Sequence, residues 1–311
     1  MNAKQPKLSA IADEVARQPR ILGAYLDEVK SAAPPGSLFV GAGDSYTAAN
    51  IASRLSSIRH LAIDPYELIS EEEVAAGKTV YFVTVSGNTA SGISAAKAAK
   101  GIAERRIAIT ANAKGKIADV VDKVIFIPYD YVPKLPGMLS FSLSLLTLLK
   151  LSSGPLECDF HRVDIQAKRD SRKLLFSDFG TTYLLGNSAA FPIGQYSALK
   201  ISEVLGARAQ AERLEEFAHA PIFSISKSDV INIFCAFDSL HVGQKLANSL
   251  NKRGFEATAI PSYGSNRFER VFYLIFLAQL AVLQKAKSLG RSRPYFVGAK
   301  GKLAVSDSMI Y

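Results

Sequence analysis

Hydroxyl residues around one glycine form a pattern in this chain that is suited to bind an anion. Thr84, Ser86 and Thr89 surround Gly87 where a short apolar strand ends and an alanine-rich helix begins. The first N–H groups of a helix are unpaired and carry the positive end of its dipole, so together with neutral hydroxyls they can bind a phosphate. Glycine lets the backbone approach closely. The pattern therefore predicts a phosphate loop, and side-chain capping of the helix by Ser86 and Thr89 is the alternative interpretation.

A second group of reactive side chains is predicted on one helix. Lys200 and Glu203 are three residues apart, and Tyr196 precedes Lys200 by four, so a helix would bring all three to one face. His219 follows in the next segment, where Pro221 stops a helix and predicts a turn at 218–221. By residue type alone, these are either an ion pair on a solvated helix face with a structural histidine, or members of a reactive site.

Both groups depend on a strand–turn–helix pattern that occurs in each half of the chain. The first half predicts strands at 38–40, 81–85, 107–110 and 124–127, and helices at 46–55, 89–105 and 138–151. The second half predicts strands at 182–185, 230–237 and 257–260, and helices at 191–205, 240–252 and 267–289. Gly41 and Gly186 begin equivalent turns. This order predicts an α/β protein with two domains, at 1–160 and 161–311. Each would be a parallel doubly wound sheet flanked by helices, with ligands at the carboxyl ends of its strands.

Composition narrows the class of protein. With 311 residues, of which 48% are hydrophobic and 21% charged, the chain has the make-up of a two-domain globular protein. Cys158 and Cys235 lack a CxxC motif, so no disulfide framework or zinc site is expected, and we predict a reducing, cytoplasmic location. The net charge of +9 is spread along the chain, which fits attraction of small anions better than nucleic acid. The most apolar helix is interrupted by Gln279, and no membrane span is expected.

Five separated motifs resemble those of the sugar isomerase (SIS) family. They are EVARQP at 14–19, GAGDSY at 41–46, TVSGNTA at 84–90, YSALKISE at 196–203 and EFAHAP at 216–221. The corresponding family motifs are EIxEQP, GxGTSY, SQSGETA, EGALKLKE and ELKHGP. The chain thus resembles a protein with two tandem SIS domains, in particular the isomerase half of the glutamine:fructose-6-phosphate amidotransferases (glucosamine-6-phosphate synthases). Its SGNT sequence is also similar to the phosphate loop of the bifunctional phosphoglucose/phosphomannose isomerases.

The resemblance implies an enzyme that interconverts aldose, or amino sugar, and ketose 6-phosphates without a metal or cofactor. Glu203 would move a proton between C1 and C2 through an enediol, and burial raises the pKa of a carboxylate in a way that suits such a base. His219, donated by the neighbouring subunit of a homodimer, would assist ring opening, because an imidazole exchanges protons near neutral pH. Lys200 would be the lysine of the glutamate helix. Lys300 would form a Schiff base with the open-chain ketose, and Lys302 is its rival.

Substrate contacts are implied in the turns of the first half. They involve Gly43, Asp44, Ser45, Thr84, Ser86, Asn88 and Thr89. Asp44 replaces the threonine of the family, and we expect it to face sugar hydroxyls because a carboxylate repels a phosphate. Lys134 lies in a loop similar to an Ala-Pro-Arg segment of the phosphoglucose/phosphomannose isomerases and is expected to supply positive charge near the enediolate oxygen. A solvated loop lysine is the alternative.

Three functions of different classes are consistent with the sequence. The favoured one is a hexose 6-phosphate isomerase, and a glucosamine-6-phosphate deaminase is the alternative that needs the C-terminal lysine as imine former. Because Met1 is followed by Asn2, we expect no cysteine nucleophile of a glutaminase, and glutamine is not expected as nitrogen donor. A non-catalytic phosphosugar-binding or regulatory protein is the second class, and a purely structural duplication is the third. The glutamate, lysine and histidine at family spacing disfavour the last.

Overall fold

The computed structural model describes residues 6–28, 32–56 and 60–311. In chain order its elements are α1 (Leu8–Tyr25), β1 (Leu38–Val40), α2 (Asp44–Leu55), β2 (Leu61–Ile63), α3 (Pro65–Ser70), β3 (Thr79–Val83), α4 (Ala90–Ala98), β4 (Arg105–Thr110), β5 (Lys123–Phe126), α5 (Leu139–Ser153), α6 (Phe160–Asp170), β6 (Thr181–Gly186), α7 (Ala190–Lys200), β7 (Arg208–Glu212), α8 (Leu214–His219), β8 (Val230–Cys235), α9 (Leu240–Asn251), β9 (Glu256–Pro261), α10 (Arg267–Ser288), α11 (Tyr295–Gly298) and α12 (Lys300–Ile310). Strands and helices alternate, as the sequence predicts.

The chain divides into two units. The first-sheet unit comprises Ile21–Leu156 and Ala299–Tyr311, and the second-sheet unit comprises Met1–Arg20 and Glu157–Gly298. The start of the chain thus clusters with the second sheet, and its last helix clusters with the first. The two tandem SIS domains at 1–160 and 161–311 stay a prediction.

The first-sheet unit contains five parallel strands in the order β2-β1-β3-β4-β5. From β1 the chain crosses to β2 on one side and then returns to β3 on the other. In doubly wound sheets, the crevice outside the carboxyl ends of such a strand pair is where ligands bind. The turns after β1 and β3 lie at this crevice, and both carry predicted site residues.

The second-sheet unit repeats the arrangement with four parallel strands in the order β7-β6-β8-β9. The direction of the crossovers reverses between β6 and β8. Parallel sheets flanked by helices are therefore confirmed, and the turns that begin at Gly41 and Gly186 occupy equivalent places.

Apolar strands and small-residue helices form the core beneath these turns. In the first-sheet unit Val80 and Phe82 pack with Ala95, Ala96 and Ala99, at and just after the end of α4. Alanine side chains allow close packing, so the second half of α4 lies close against β3. The longest helix, α10, is apolar enough to span a membrane, but 78% of its most apolar window is buried inside the protein, which is typical of a core helix.

Several predicted boundaries are wrong, for local reasons. The strands β2 and β7 were not predicted, because they lie at sheet edges and are short or polar. The helix expected at 89–105 ends at Ala98, and Gly101 then adopts a φ of +82° that turns the chain towards β4. The helix expected at 191–205 is α-helical only to Lys200, and Ile201–Leu205 continues as a π-helical turn.

Candidate functional site

The predicted phosphate loop connects β3 to α4 and has a tightly constrained backbone. Gly87 has a φ of +68°, and a Cβ at this position would lie only 2.8 Å from the Cα of Gly115. Real Cβ atoms do not approach backbone atoms this closely, so both the conformation and the space require glycine. The loop from β3 therefore lies directly against the loop that follows β4.

Two asparagine side chains hold this loop in place. Asn112 Nδ2 donates to the carbonyl oxygen of Ser86 at 2.8 Å, and Asn88 Nδ2 donates to the same oxygen at 3.1 Å. The Asn88 Oδ1 atom accepts from the N–H of Lys116 at 3.1 Å. Asn88, which we predicted as a substrate ligand, thus connects the loop to its neighbour. Asn112 was missed, although it follows a buried strand beside β3, which is the signal that could have identified it.

The hydroxyl groups of the loop gather beside the start of α4. Thr84 Oγ1 and Thr89 Oγ1 are 3.1 Å apart, and the N–H of Asn88 donates to Ser86 Oγ at 3.2 Å. Thr89 is the N-cap residue of α4, but its side chain makes no capping hydrogen bond. Simple capping by Thr89 is therefore not what the structure shows. The arrangement instead gives three hydroxyls next to a helix N-terminus, which is chemically suited to an anion.

The turn after β1 lies next to this loop, because β1 and β3 are paired in the sheet. Gly43 has a φ of +56° and is the N-cap of α2, which begins with Asp44 and Ser45. A Cβ on Gly137 would overlap Asp44 Oδ2, so this carboxylate lies against the backbone just before α5. A helix N-terminus favours a negative charge there. Contact of Asp44 with sugar hydroxyls stays a prediction.

The C-terminal helix contributes to the same unit. Lys134 adopts a φ of +61°, and its Nζ atom lies 2.7 Å from Asp307 Oδ2 on α12. The loop of Lys134 is therefore tied to the last helix of the chain. Lys300 begins α12, and Lys302 follows in the same turn, with both residues exposed. The predicted imine lysine and its rival thus belong to the unit that contains the predicted phosphate loop.

The second group of predicted residues lies in the second-sheet unit. Lys200 Nζ donates to Glu203 Oε2 at 2.6 Å, and the same nitrogen lies 5.4 Å from the centroid of the Tyr196 ring. The Lys200 side chain is 0% exposed and that of Glu203 is 33% exposed. The prediction that the three residues share one face is confirmed. An ordinary ion pair on a solvated face is excluded, because the ammonium is fully buried.

Burial falls on the lysine rather than on the carboxylate, contrary to our expectation for Glu203. The π-helical turn that contains Glu203 is followed by Gly206 with a φ of +66°, which ends the helix. Glu203 therefore lies close to a helix end, where part of its side chain reaches the surface. A carboxylate held by a buried ammonium and still accessible can contact a ligand.

Two glutamines lie behind this pair. Gln279 Nε2 donates to Tyr196 Oη at 2.8 Å, and Gln18 Nε2 donates to Gln279 Oε1 at 2.6 Å. Our sequence interpretation took Gln279 as an interruption of an apolar helix and Gln18 only as one position of a motif. A single amide in an otherwise apolar core helix is the signal that could have identified Gln279.

His219 lies at an exposed helix end. It is the last residue of α8, so the turn that we predicted to begin at 218 begins at Ala220 instead. Its side chain is 73% exposed, and Nε2 is 3.4 Å from Glu215 Oε1. Phe223, in the short 3₁₀ turn that follows, is 85% exposed. The structure therefore presents an imidazole and an aromatic ring close together in sequence on the surface of the second-sheet unit.

Throughout residues 6–28, 32–56 and 60–311, no three His, Cys, Asp or Glu side chains are grouped so that they could hold a metal ion.

No protein-family model and no curated protein matches this sequence. Solved structures do share its fold. Glucosamine-6-phosphate deaminase from Thermotoga maritima is 22% identical with a TM-score of 0.76, and the match covers 92% of this chain and 95% of that one. The C-terminal domain of glucosamine-fructose-6-phosphate aminotransferase from Francisella tularensis is 16% identical with a TM-score of 0.72, covering 91% and 98%.

A third similar structure is tagatose-6-phosphate ketose/aldose isomerase from Escherichia coli, which is 14% identical with a TM-score of 0.73, covering 93% of this chain and 97% of that one. At these identities the likeness establishes the fold alone. The chain therefore shares its fold with a deaminase, an aminotransferase domain and an isomerase that are each named for a sugar 6-phosphate.

Proposed function

We propose that this protein is an enzyme that interconverts the aldose and ketose forms of a hexose 6-phosphate. The observation that carries the proposal is the fully buried Lys200 ammonium, which is paired with the partly exposed Glu203 carboxylate at 2.6 Å. Burying an ammonium is costly in free energy, and a buried pair is weak evidence for stability. Such a pair is better explained by a carboxylate that must be held in a defined position.

Glu203 is suited to carry the proton in this reaction. From the aldose, its carboxylate takes the proton from C2 of the open-chain sugar while a proton passes from O2 to O1, which gives an enediolate with its negative charge on O2. Return of the carbon-bound proton to C1 then gives the ketose. Lys200 orients the carboxylate, and positioned proton transfer of this kind is the ordinary work of a general base.

The loop from Thr84 to Thr89 is proposed to bind the phosphate. Three hydroxyls and the first N–H groups of α4 supply donors without a fixed counter-charge. The asparagines that pin the loop keep these donors in place before the ligand arrives, which lowers the ordering cost of binding. The surplus of basic residues, 37 against 28 acidic ones, favours the approach of a phosphorylated sugar.

His219 is proposed to act in the site of a second subunit. Its exposure, together with the 85% exposed Phe223, fits a segment that becomes buried in an interface. Mixing two inactive variants, Glu203→Gln and His219→Ala, tests this arrangement. If each site uses one residue from each subunit, mixed dimers regain one intact site and part of the activity. No recovery, with mixed dimers present by native mass spectrometry, would contradict donation across subunits.

A glucosamine-6-phosphate deaminase is the second candidate, and the position of Lys300 is the observation that favours it. This exposed lysine begins α12 in the unit that contains the phosphate loop. An imine between its amine and the ketose carbonyl would allow ammonia to be exchanged at C2. Borohydride trapping on wild type, Lys300→Ala and Lys302→Ala separates the two lysines.

The test of function is NMR of products from fructose 6-phosphate, with and without ammonia. Aldose 6-phosphate formed without ammonia, and lost in Glu203→Gln, would support the isomerase. Glucosamine 6-phosphate formed only with ammonia, or ammonia released from glucosamine 6-phosphate, would support the deaminase. Tight binding of the sugar without turnover of either kind would make the protein a phosphosugar-binding module and overturn the proposal.

A further inference from the structure

Three buried polar side chains form a continuous hydrogen-bonded chain behind the Lys200–Glu203 pair. Gln18 Nε2 donates to Gln279 Oε1 at 2.6 Å, and Gln279 Nε2 donates to Tyr196 Oη at 2.8 Å. Gln18 is 1% exposed, whereas Gln279 and Tyr196 are both 0% exposed. They come from α1, α10 and α7, so the chain crosses three helices within the second-sheet unit.

Packing of the helices does not by itself require this hydrogen-bonded chain of polar side chains. The neighbours of Gln279 along α10 are buried apolar residues, and a leucine would fill the same space without needing hydrogen-bond partners. Buried amides cost free energy unless they are satisfied, and satisfied polar groups fix one orientation of the groups that they join. The carbonyl and amino ends of Gln279 each have a defined partner, so the amide can adopt only one orientation.

The Tyr196 end of this hydrogen-bonded chain lies next to the Lys200–Glu203 pair. Tyr196 precedes Lys200 by one helical turn, and the Lys200 ammonium lies 5.4 Å from the centroid of its ring. Cations are attracted to the faces of aromatic rings. A ring whose hydroxyl is fixed by Gln279 therefore offers the ammonium a fixed surface, and the ammonium in turn holds Glu203 Oε2 at 2.6 Å.

We infer that Gln18 and Gln279 are positioning residues that act through Tyr196 on the Lys200–Glu203 pair. The inference rests on the proposed function and deepens it. It also gives a role to Gln18 in the EVARQP segment, which the catalytic proposal does not otherwise use. Loss of the hydrogen bonds among Gln18, Gln279 and Tyr196 leaves every reacting group present, but the Glu203 carboxylate is then no longer held in one position.

Kinetics of Gln279→Leu and Tyr196→Phe test the inference. Each variant removes the link to the ring but keeps the ring and the volume. We expect kcat to fall about tenfold with KM within about twofold, because the loss is one of alignment rather than of substrate contacts. The double variant should be no slower than either single one, since both break the same link. Gln18→Met should show a weaker loss in the same direction.

Ser197→Ala is the matched control. Ser197 is also fully buried on α7, and its hydroxyl donates to the Ile193 carbonyl oxygen within the same helix. Ser197→Ala should keep the wild-type kcat even if its melting temperature changes as much as that of Tyr196→Phe or Gln279→Leu. Equal losses of kcat in Ser197→Ala and Tyr196→Phe would overturn the inference, because they would show a general effect of destabilising α7.

A crystal structure of Gln279→Leu gives a readout that does not depend on turnover. We expect the Tyr196 ring to shift and the Lys200–Glu203 pair to lengthen or to take several conformers. A pair that stays as in the wild type would overturn positioning, whatever the kinetics show. Failure of the proposed function looks different, since Glu203→Gln would then match wild type in every assay while the structural effect of Gln279→Leu persisted.

Discussion

The crevices of the two sheets have the same frame but different side chains. A Cβ on Gly41 would lie 2.8 Å from a backbone carbon of Ser45, and a Cβ on Gly186 would lie 2.7 Å from that of Ala190. In both halves a helix therefore starts directly against the end of the first strand. The close approach is a property of the repeated fold and carries no chemistry by itself.

The turn that follows β3 differs from the corresponding turn that follows β8. After β3 the chain supplies Thr84, Ser86 and Thr89, whereas after β8 the corresponding turn contains Phe237 with a φ of +59°. The Lys200–Glu203 pair of the second-sheet unit lies elsewhere, at and just after the end of α7. The two units thus share this backbone geometry, while phosphate chemistry is proposed for one crevice and proton chemistry for one helix end.

Among the variants that test this comparison, Glu203→Gln should have the largest effect, which is a loss of turnover. The amide keeps the shape of the side chain but cannot take a proton, so turnover should fall by about 10³-fold. Stopped assays with each candidate sugar phosphate measure the effect, and Glu256→Gln, an exposed position on β9, is the control. If both variants retain equal turnover, the helix end of the second-sheet unit is not the site of proton transfer.

The next largest expected effect is on the stability of the second-sheet unit, through the carboxylate of Glu269. Glu269 is buried on α10, where burial alone would raise its pKa. Hydrogen bonds from the Ser265 hydroxyl and N–H, with the Arg162 guanidinium, outweigh that effect and lower the pKa to about 2. A lowered folded-state pKa gives stability that is present above the ordinary value of 4.5 and is lost as pH falls towards 2.

Glu269→Gln should therefore lower the free energy of unfolding at pH 7 by on the order of 3 kcal/mol. Urea unfolding at pH 7 and near pH 3 measures this, and the difference from wild type should shrink at the lower pH. A difference that is independent of pH would show that the loss comes from packing rather than from the charge.

Lys200→Met tests whether Lys200 serves to position the Glu203 carboxylate for catalysis or to stabilise the folded protein. Removing one partner of a buried ion pair destabilises a protein when the other charge is left buried, but Glu203 is 33% exposed and can be hydrated, while the desolvation cost of the Lys200 ammonium disappears. We expect unchanged or higher thermal stability together with a fall of about 10²-fold in kcat. Lower stability with full activity would assign the ion pair a purely structural role.

Glycine variants sharpen the comparison of the two crevices, with the smallest expected effects on activity. Gly41→Ala and Gly186→Ala should destabilise the protein similarly, but only Gly41→Ala should raise KM, by about tenfold, since its turn is the one proposed to face the ligand. Gly101→Ala is the control for backbone strain, because its φ of +82° disfavours alanine while its Cβ would enter open space. Gly41 and Gly186 have no positive φ and are constrained by close approach alone. Equal rises of KM in both crevices would contradict a single phosphate crevice.

Local sequence patterns predicted the sheets because β3 and β8 are continuous apolar runs followed by turn residues. They did not predict β2, which is only three residues long, or β7, which is polar, because both are edge strands. The face shared by Tyr196, Lys200 and Glu203 follows from helical spacing alone. The full burial of Lys200 does not, because it depends on packing against other helices, and Gln18 and Gln279 are 261 residues apart. No local pattern connects them.

The contact between Gly87 and Gly115 has a consequence for how this protein can change over time. A side chain at either position would strike the backbone of the other, so neither residue can be replaced unless two loops move apart together. A single substitution in one loop cannot be rescued by a single substitution in the other, because glycine is already the smallest residue. Related sequences that keep the contact between these two loops should therefore keep both glycines, whereas sequences in which the loops have separated are free to lose both.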